Sequence, residues 1–335
     1  MSESAIIDNS TVLITGATGF IGSHLADDLI KRGCKVHCAI RKTSSLQWLD
    51  SSRITFHKTD LSRPEPLREA LENTEYVFHC AGLTKAKSRE EFFFANAEAC
   101  TNLYQACAEY GNKIKAIVHL SSLAVTGPAT NHNPVDENTE CRPLTYYGKS
   151  KLAGEEIAKR FSSSLPIIIL RPPVVYGPRE KDFFSFLKTI SKGWNPVIGK
   201  VRRTLSLIYA HDLVEAMVQA ASKPAEKDNI FFITDGNIYD WDEIARASMK
   251  HLKVKARTIV VPEQIMFPLA CLMEAISFFR SGPAFLDRQK IKEVCQESWT
   301  ASSQKFFAAH HFQPKYNLDR GLAETINWYK DEHWL

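Results

Sequence analysis

Several features that would fix a function class at once are missing from this 335-residue chain. Net charge is only +4, and the basic pairs Arg202–Arg203 and Lys113/Lys115 are too dispersed to form a nucleic-acid surface, so nucleic acid is not expected as a partner. Eight cysteines are present, but none stands in a CxxC pair and no Cys/His group has zinc-finger spacing. No metal site is therefore expected. Most of these cysteines lie among apolar neighbours, where a free thiol behaves as a small hydrophobe, and this points to the reducing cytoplasm. The start, MSESAIIDNS, lacks the basic residues and apolar run of a secretory signal. No integral membrane span is expected either. The apolar stretch 265–279 is short and is broken by Pro268 and Glu274. It reads as a core or lid helix, with peripheral contact to a membrane as the second reading. Repeats and low-complexity runs are absent, and the mix of 44% hydrophobic and 24% charged residues is that of a globular protein with one large domain or two sharing a core.

What is present is an alternation. Short β-branched runs at Thr11–Thr15, Val36–Ile40, Ile54–His57, Tyr76–Cys80, Ala116–Leu120 and Ile167–Leu170 are separated by helical stretches, among them His24–Arg32, Pro66–Leu71, Glu90–Tyr110 and Tyr147–Phe161. That pattern predicts an α/β fold, a doubly wound parallel sheet covered on both faces, with ligands at the carboxyl ends of the strands. After Arg171 the alternation loosens. Ser206–Tyr209 and Ile230–Ile233 look like strands returning to the sheet, and the chain from about Asp240 onward is mainly helical, with one extended piece at Thr258–Val261. The expected division is a dinucleotide-binding domain at 1–170 and 204–236, and a smaller, mainly helical substrate-binding lobe at 171–203 and 237–335.

The first strand runs into Thr15-Gly16-Ala17-Thr18-Gly19-Phe20-Ile21-Gly22, which opens the first helix. A GxxGxxG alone is a weak signal. Between a strand and a helix it has the context of a Rossmann phosphate loop: a tight turn at Gly16, close approach of pyrophosphate at Gly19, and close helix packing at Gly22. An NAD site usually ends its second strand with a carboxylate for the ribose 2′-OH. Here Ile40 is followed by Arg41 and Lys42, and a guanidinium suits a 2′-phosphate, so NADP is preferred over NAD. Asp60, with Leu61 beside it, follows the third strand and is placed to contact adenine.

Tyr147-Gly148-Lys149-Ser150-Lys151 places a phenol and an ammonium one helical turn apart. Tyr146 has Ser150 at the same spacing, so only Tyr147 meets a lysine. A free phenol, with a pKa of about 10, is a poor base near neutrality; a nearby ammonium is expected to lower that value, and an oxidised nicotinamide to add another positive charge. Tyr147 then exchanges a proton with an alcohol or carbonyl oxygen, while Ser122, at the end of the fifth strand, holds the same oxygen.

With these motifs assembled, the chain resembles the extended branch of the short-chain dehydrogenase/reductase superfamily, the NAD-dependent epimerase/dehydratase family. The carriers are TGATGFIG (15–22), DL (60–61), HCAG (79–82), SSLAVTG (121–127), YYGKSK (146–151) and RPPVVYGP (171–178). By that resemblance Ser122, Tyr147 and Lys151 are catalytic. Gly16, Thr18, Gly19, Phe20, Ile21, Gly22, Arg41, Lys42, Asp60, Leu61, Ala81, Gly82, Tyr147, Lys151 and Pro172 contact the dinucleotide, and Asn96 is structural. Homodimers are common in the superfamily, which leaves a homodimer open. Nucleotide-sugar epimerases of the branch carry an Asn where this chain has Val174 and a diphosphate-gripping Arg where it has Leu205, although Arg203 leaves a shifted contact open. Arg41, RPPVVYGP and the apolar stretch are closer to the 3β-hydroxysteroid dehydrogenase and dihydroflavonol reductase side. The expected function is an NAD(P)-dependent oxidoreductase interconverting a secondary alcohol and a ketone or aldehyde on a lipophilic small molecule. The alternative is a nucleotide-sugar epimerase/dehydratase using tightly bound NAD.

Overall fold

Thr11–Thr15 forms the central strand β1, buried from Val12 onward. The computed structural model describes residues 7–130, 133–223, 229–278 and 287–335. Met1–Ile6 and Phe279, which entered the readings of the N-terminus and of the apolar stretch, lie outside the described residues. After Gly16, α1 (Phe20–Lys31) lays Leu25, Ala26, Leu29 and Ile30 against the sheet. β2 (Lys35–Ile40) and β3 (Ile54–Lys58) extend that sheet on one side. The short α2 (Arg68–Leu71) carries the chain back to β4 (Tyr76–His79) on the other side of β1. The long helix expected at 90–110 is present but interrupted: α3 (Arg89–Phe93) and α4 (Ala99–Tyr110) are joined through a π turn at Phe94–Glu98. Such turns recur at functional sites. β5 (Ala116–Leu120), α5 (Tyr146–Phe161) and β6 (Ile167–Arg171) complete the alternation.

The remaining chain builds the lobe and returns α7 and β10 to the large sheet. It runs through β7 (Val174–Tyr176), α6 (Lys181–Ser191), β8 (Trp194–Ile198), β9 (Thr204–Tyr209), α7 (Ala210–Ala221), β10 (Ile230–Phe232), β11 (Ile238–Asp240) and α8 (Trp241–Leu252). It then continues through β12 (Arg257–Val261), α9 (Glu263–Phe278), α10 (Arg288–Val294), β13 (Ser298–Trp299), α11 (Gln304–His310) and α12 (Leu318–Asp331). Seven strands form one parallel sheet in the order β10-β6-β5-β4-β1-β2-β3. α1 and α7 supply the apolar cover of one face, and α4 with Ala158 of α5 that of the other. The strand order reverses between β1 and β4, so the crevice for a ligand opens at the carboxyl ends of those two strands.

One expected strand goes elsewhere. Ile230–Phe232 does return to the sheet, beside β6, but Ser206–Tyr209 does not. Pro172 and Pro173 end β6, because proline has no N–H to give to a ladder. β10 fills the edge position next to β6, and the chain resumes as β7, which pairs in parallel with β9. β9 also pairs with β11 and β13, so it belongs by its hydrogen bonds to a separate four-stranded sheet, while α7 and β10 from the same segment lie on the large one. Tyr176, Leu187, Leu207, Tyr209, Ile244 and Leu322 make the core of that lobe.

Two buried histidines brace this frame, one to a loop and one between strands. His24 donates from Nε2 to the Pro178 carbonyl at 2.8 Å, and His79 Nδ1 lies 2.7 Å from Thr15 Oγ1. Burial holds both imidazoles down at about 3. An unfolded histidine titrates near 6.5, so between about 6.5 and 3 the unfolded chain binds the extra protons and stability is lost as pH falls. Asp235, pushed up to about 6 by burial, opposes this over its own range. Denaturant unfolding at pH 7.5, 6.5 and 5.5 should show stability falling below pH 6.5 by about 1–3 kcal/mol in total. A flat or rising profile there would contradict the neutral-histidine assignment.

Candidate active site

Gly16 sits at φ +74°, in the left-handed region, and a Cβ there would lie 2.5 Å from Ala81 N. Only glycine satisfies both the turn and this approach between the ends of β1 and β4. A Cβ at Gly22 would collide with the Gly16 carbonyl, so that glycine seats α1 against the loop. Gly19 caps α1 with no side-chain hydrogen bond, and no acidic residue occupies the first turn. The helix therefore presents its N-terminal N–H groups to an anion without competition. Thr18, Gly19 and Phe20 line an open cleft with Trp48, Thr84, Lys85 and Arg179. A pyrophosphate-bearing dinucleotide fits this cradle. A second cleft, around His24, Asp27, Tyr209 and His211, meets the first at Arg179 and does not include Tyr147.

At the end of β2, Arg41 and Lys42 are exposed, and among the described ion pairs neither has a carboxylate partner. Their turn is held by Ser44, which donates its N–H to the Arg41 carbonyl and receives the Arg41 N–H on Oγ. Asp60 is exposed after β3 and accepts the Ser62 N–H at 3.0 Å. Leu61 is buried at φ +62°, its carbonyl held by Asn102 Nδ2 at 2.8 Å. Pro172 is buried beyond β6 and accepts the Leu123 N–H at 2.8 Å, next to Ser122.

Ser122, Tyr147 and Lys151 converge at the ends of β5 and α5. Thr145 caps α5 by accepting the Gly148 N–H, so the helix begins at the tyrosines. Ser122 hydrogen-bonds the Tyr147 hydroxyl. Lys151 is buried one turn along and donates to the Leu120 carbonyl at 2.6 Å. Gly82 borders this ammonium: a Cβ there would stand 3.7 Å from Lys151 Nζ and 2.7 Å from Asn96 Oδ1. Asn96, in the π turn, accepts the Leu83 N–H at 2.8 Å and donates to the Leu83 carbonyl and to Ser150 Oγ. It ties the loop after β4 to α5.

The expected effect of Lys151 on Tyr147 needs correction. With protein groups alone around it, burial pushes the phenol up to about 12, the Ser122 hydrogen bond draws it down, and Glu293 raises it further. Lys151 is itself held below the ordinary ammonium range by burial, and its ammonium is engaged by a backbone carbonyl. At neutral pH the Tyr147 phenol is therefore protonated.

Beneath the trio lies a network that the sequence reading did not single out. Arg171 grips Glu155 through Nε at 2.9 Å and Nη2 at 2.6 Å, and Ser121 Oγ donates to the same carboxylate at 2.5 Å. The ion pair is almost wholly buried, at 2% and 0% exposure. Glu155 follows Lys151 by one turn on the same face, which was the available signal. α10 supplies a second unforeseen contact: Glu293 accepts from Thr145 Oγ1 at 3.1 Å and Gln289 accepts the Tyr146 N–H at 3.1 Å. No local pattern links residues so far apart in sequence. His79, Cys100 and His119 also gather behind Lys151, with one ligating atom of each within 4.8 Å of the others. Burial, reinforced by the Lys151 charge, keeps both of these imidazoles neutral.

On the substrate side, Val174 is 43% exposed, whereas Leu205 is buried in the lobe core. Arg203 is buried as well. Its guanidinium is bound to Glu263 and to the carbonyls of Ile198, Val201 and Cys295, so the shifted diphosphate contact left open by the sequence is not formed by the side chain as it stands.

The NAD dependent epimerase/dehydratase family model matches residues 12–234. Ceramide reductase of Caulobacter vibrioides is 27% identical over 330 residues, covering 97% of this chain and 96% of that protein. UDP-glucose 4-epimerase of Vibrio cholerae is 27% identical over 257 residues, covering 70% of this chain and 74% of that protein. Among solved structures, UDP-glucuronic acid 4-epimerase from Bacillus cereus in complex with NAD superposes with a TM-score of 0.77 at 22% identity, covering 96% and 99% of the two chains.

Removing one partner of the buried pair leaves an uncompensated charge. Glu155→Ala or Arg171→Ala should lower unfolding free energy by about 3–5 kcal/mol, measured by denaturant titration. The double variant Glu155→Leu/Arg171→Met should recover much of that stability. A single-variant cost below about 1 kcal/mol would show that the pair does not hold α5.

Proposed function

We propose that this chain, which belongs to the NAD dependent epimerase/dehydratase family, is a nicotinamide-dependent oxidoreductase interconverting a secondary alcohol and a ketone or aldehyde on a lipophilic molecule. The observation that carries the lipophilic reading is the substrate side of the crevice: Leu205 is buried, both Nη atoms of Arg203 are bound to Glu263 and to lobe carbonyls, and Val174 presents an apolar surface just beyond Pro172. The match to a ceramide reductase along nearly the whole of both chains supports the same reading, since a ceramide is a long-chain lipid. The second reading, a nucleotide-sugar epimerase holding NAD tightly, has the epimerase relative in its favour, and against it buried Leu205 at the position of the diphosphate-gripping arginine.

A bound nicotinamide supplies the hydride donor or acceptor. The chain's residues do the rest. Ser122 holds the substrate oxygen, and Tyr147 gives that oxygen a proton in reduction or takes one in oxidation. Lys151 sets the charge beside it and stands where the nicotinamide ribose is expected. The phosphate loop would take the pyrophosphate, and Arg41 with Lys42 the 2′-phosphate of NADP. The eight free thiols suit a reducing compartment, and we place the enzyme in the cytoplasm.

A phenol raised by burial favours reduction at neutral pH. Ketone reduction should stay level between about pH 6 and 9, while alcohol oxidation, which needs the phenolate, should climb through that range. Oxidation that is level below pH 8 would contradict this. Tyr147→Phe should lower kcat by about 10²–10⁴-fold with cofactor affinity unchanged. Retained turnover would remove Tyr147 from the chemistry. Arg41→Ala should weaken NADP at least about tenfold in a fluorescence titration and leave NAD within about twofold. Equal losses for both would refute the 2′-phosphate role.

A further inference from the structure

Helix α9 is largely apolar, its carboxylates Glu263 and Glu274 held in ion pairs. Met266 and Ala270, four residues apart, are buried with Ile291 of α10. Ile265, Leu269, Leu272 and Ile276 follow one another at helical spacing on a different face, and they are 53%, 37%, 58% and 46% exposed. Large apolar side chains scattered singly on a surface are ordinary, but a stripe along a helix is not. The stripe continues into the strand before it, where Ile259 and Val260 are exposed, and onto the adjoining β8, where Trp194 is exposed.

The charge in the segments that carry this face is mainly positive, although Arg202 pairs with Asp240. Residues 192–203 and 253–276 contain seven Lys and Arg against two carboxylates, Glu263 and Glu274. Both carboxylates are taken by ion pairs, with Arg203 and Arg288. Lys192, Lys200, Lys253, Lys255 and Arg257 are exposed. On a chain of net charge +4, the excess of cations is concentrated beside the apolar stripe.

We propose that α9 and the β8–β12 ribbon dock this protein on an anionic lipid bilayer. α9 lies in the plane of the interface, its exposed stripe among acyl chains and the neighbouring Lys and Arg among headgroups. Among the described residues no helix is long and apolar enough to cross a membrane, so the contact is peripheral. A second copy of the chain is the poorer occupant, because pairing this face with itself would set cations against cations. The position relative to the site gives the contact a use. α9 packs on α10, and α10 bonds Thr145 and Tyr146 at the start of the catalytic helix. A membrane-dissolved ketone or alcohol would reach Tyr147 along the α9–α10 edge without crossing water. This last step rests on the lipophilic-substrate reading; the docking itself does not.

The test is co-sedimentation of the full chain with vesicles of phosphatidylcholine alone and with about 30% phosphatidylglycerol, at low and high salt. The full chain should bind the anionic vesicles, release in salt, and bind neutral vesicles at least about tenfold more weakly. Leu269→Glu/Leu272→Glu and Lys255→Glu/Arg257→Glu should each reduce binding by about tenfold or more while turnover of a short water-soluble ketone stays unchanged. Absence of vesicle binding, or equal binding by either variant, overturns the proposal. A dimer in light scattering that Leu269→Glu/Leu272→Glu dissociates assigns the face to a second copy and also overturns it. Vesicle binding without turnover of any membrane-dissolved ketone leaves docking standing and removes the lipophilic-substrate reading. Turnover in detergent without vesicle binding does the reverse.

Discussion

The geometry proposed for catalysis depends on one buried ion pair. α5 carries Tyr147 and Lys151, β5 ends at Ser122, and what fixes the helix to the strand is Glu155 held between Arg171 of β6 and Ser121. Two opposite charges taken out of water are costly unless every polar atom is matched, and here three hydrogen bonds meet one carboxylate. Such a network tolerates little rotation or sliding of α5. Asn96 adds a second fastening at Ser150, one residue from Lys151. A rigid frame of this kind is what a proton donor needs when its oxygen must stay within hydrogen-bond reach of a reacting carbonyl.

The cofactor side and the substrate side follow different rules. Around the phosphate loop the backbone does the recognition: glycines where a Cβ would strike Ala81 N or the Gly16 carbonyl, and a helix start left uncapped by side chains. Around the substrate the signal is the absence of polar partners, with Leu205 and Arg203 drawn into the lobe and Val174 facing out. Family membership alone covers both reductases and epimerases, so it is this second surface that separates the two readings. The exposed apolar stripe of α9, joined through α10 to the start of α5, extends the same apolar character to the outer surface.

What could be read from the sequence was local. The glycine turn, the alternation of strands and helices and the Tyr147–Lys151 spacing each depend on residues within a few positions of one another, and each lies where the pattern put it. The strand at Ser206–Tyr209 was misplaced because its partner depends on which distant segment fills the edge beside β6, a competition that β10 wins. With protein groups alone Tyr147 is raised rather than lowered, and spacing could show that a lysine is near but not that a backbone carbonyl engages it. Glu293 and Gln289 were out of reach for the same reason: no periodicity connects residue 145 to residue 293.

The central claim is that the site exchanges its nucleotide and reduces a lipophilic carbonyl. An epimerase returns the hydride to its substrate and has no need to release the cofactor, whereas a reductase must exchange it at every turnover. Native mass spectrometry of the purified full chain, with NADPH and NADH titrations alongside, is the most direct measurement. The account predicts a chain without stoichiometric nucleotide that takes up NADPH reversibly. Stoichiometric, slowly released NAD would contradict it and assign the site to the epimerase reading.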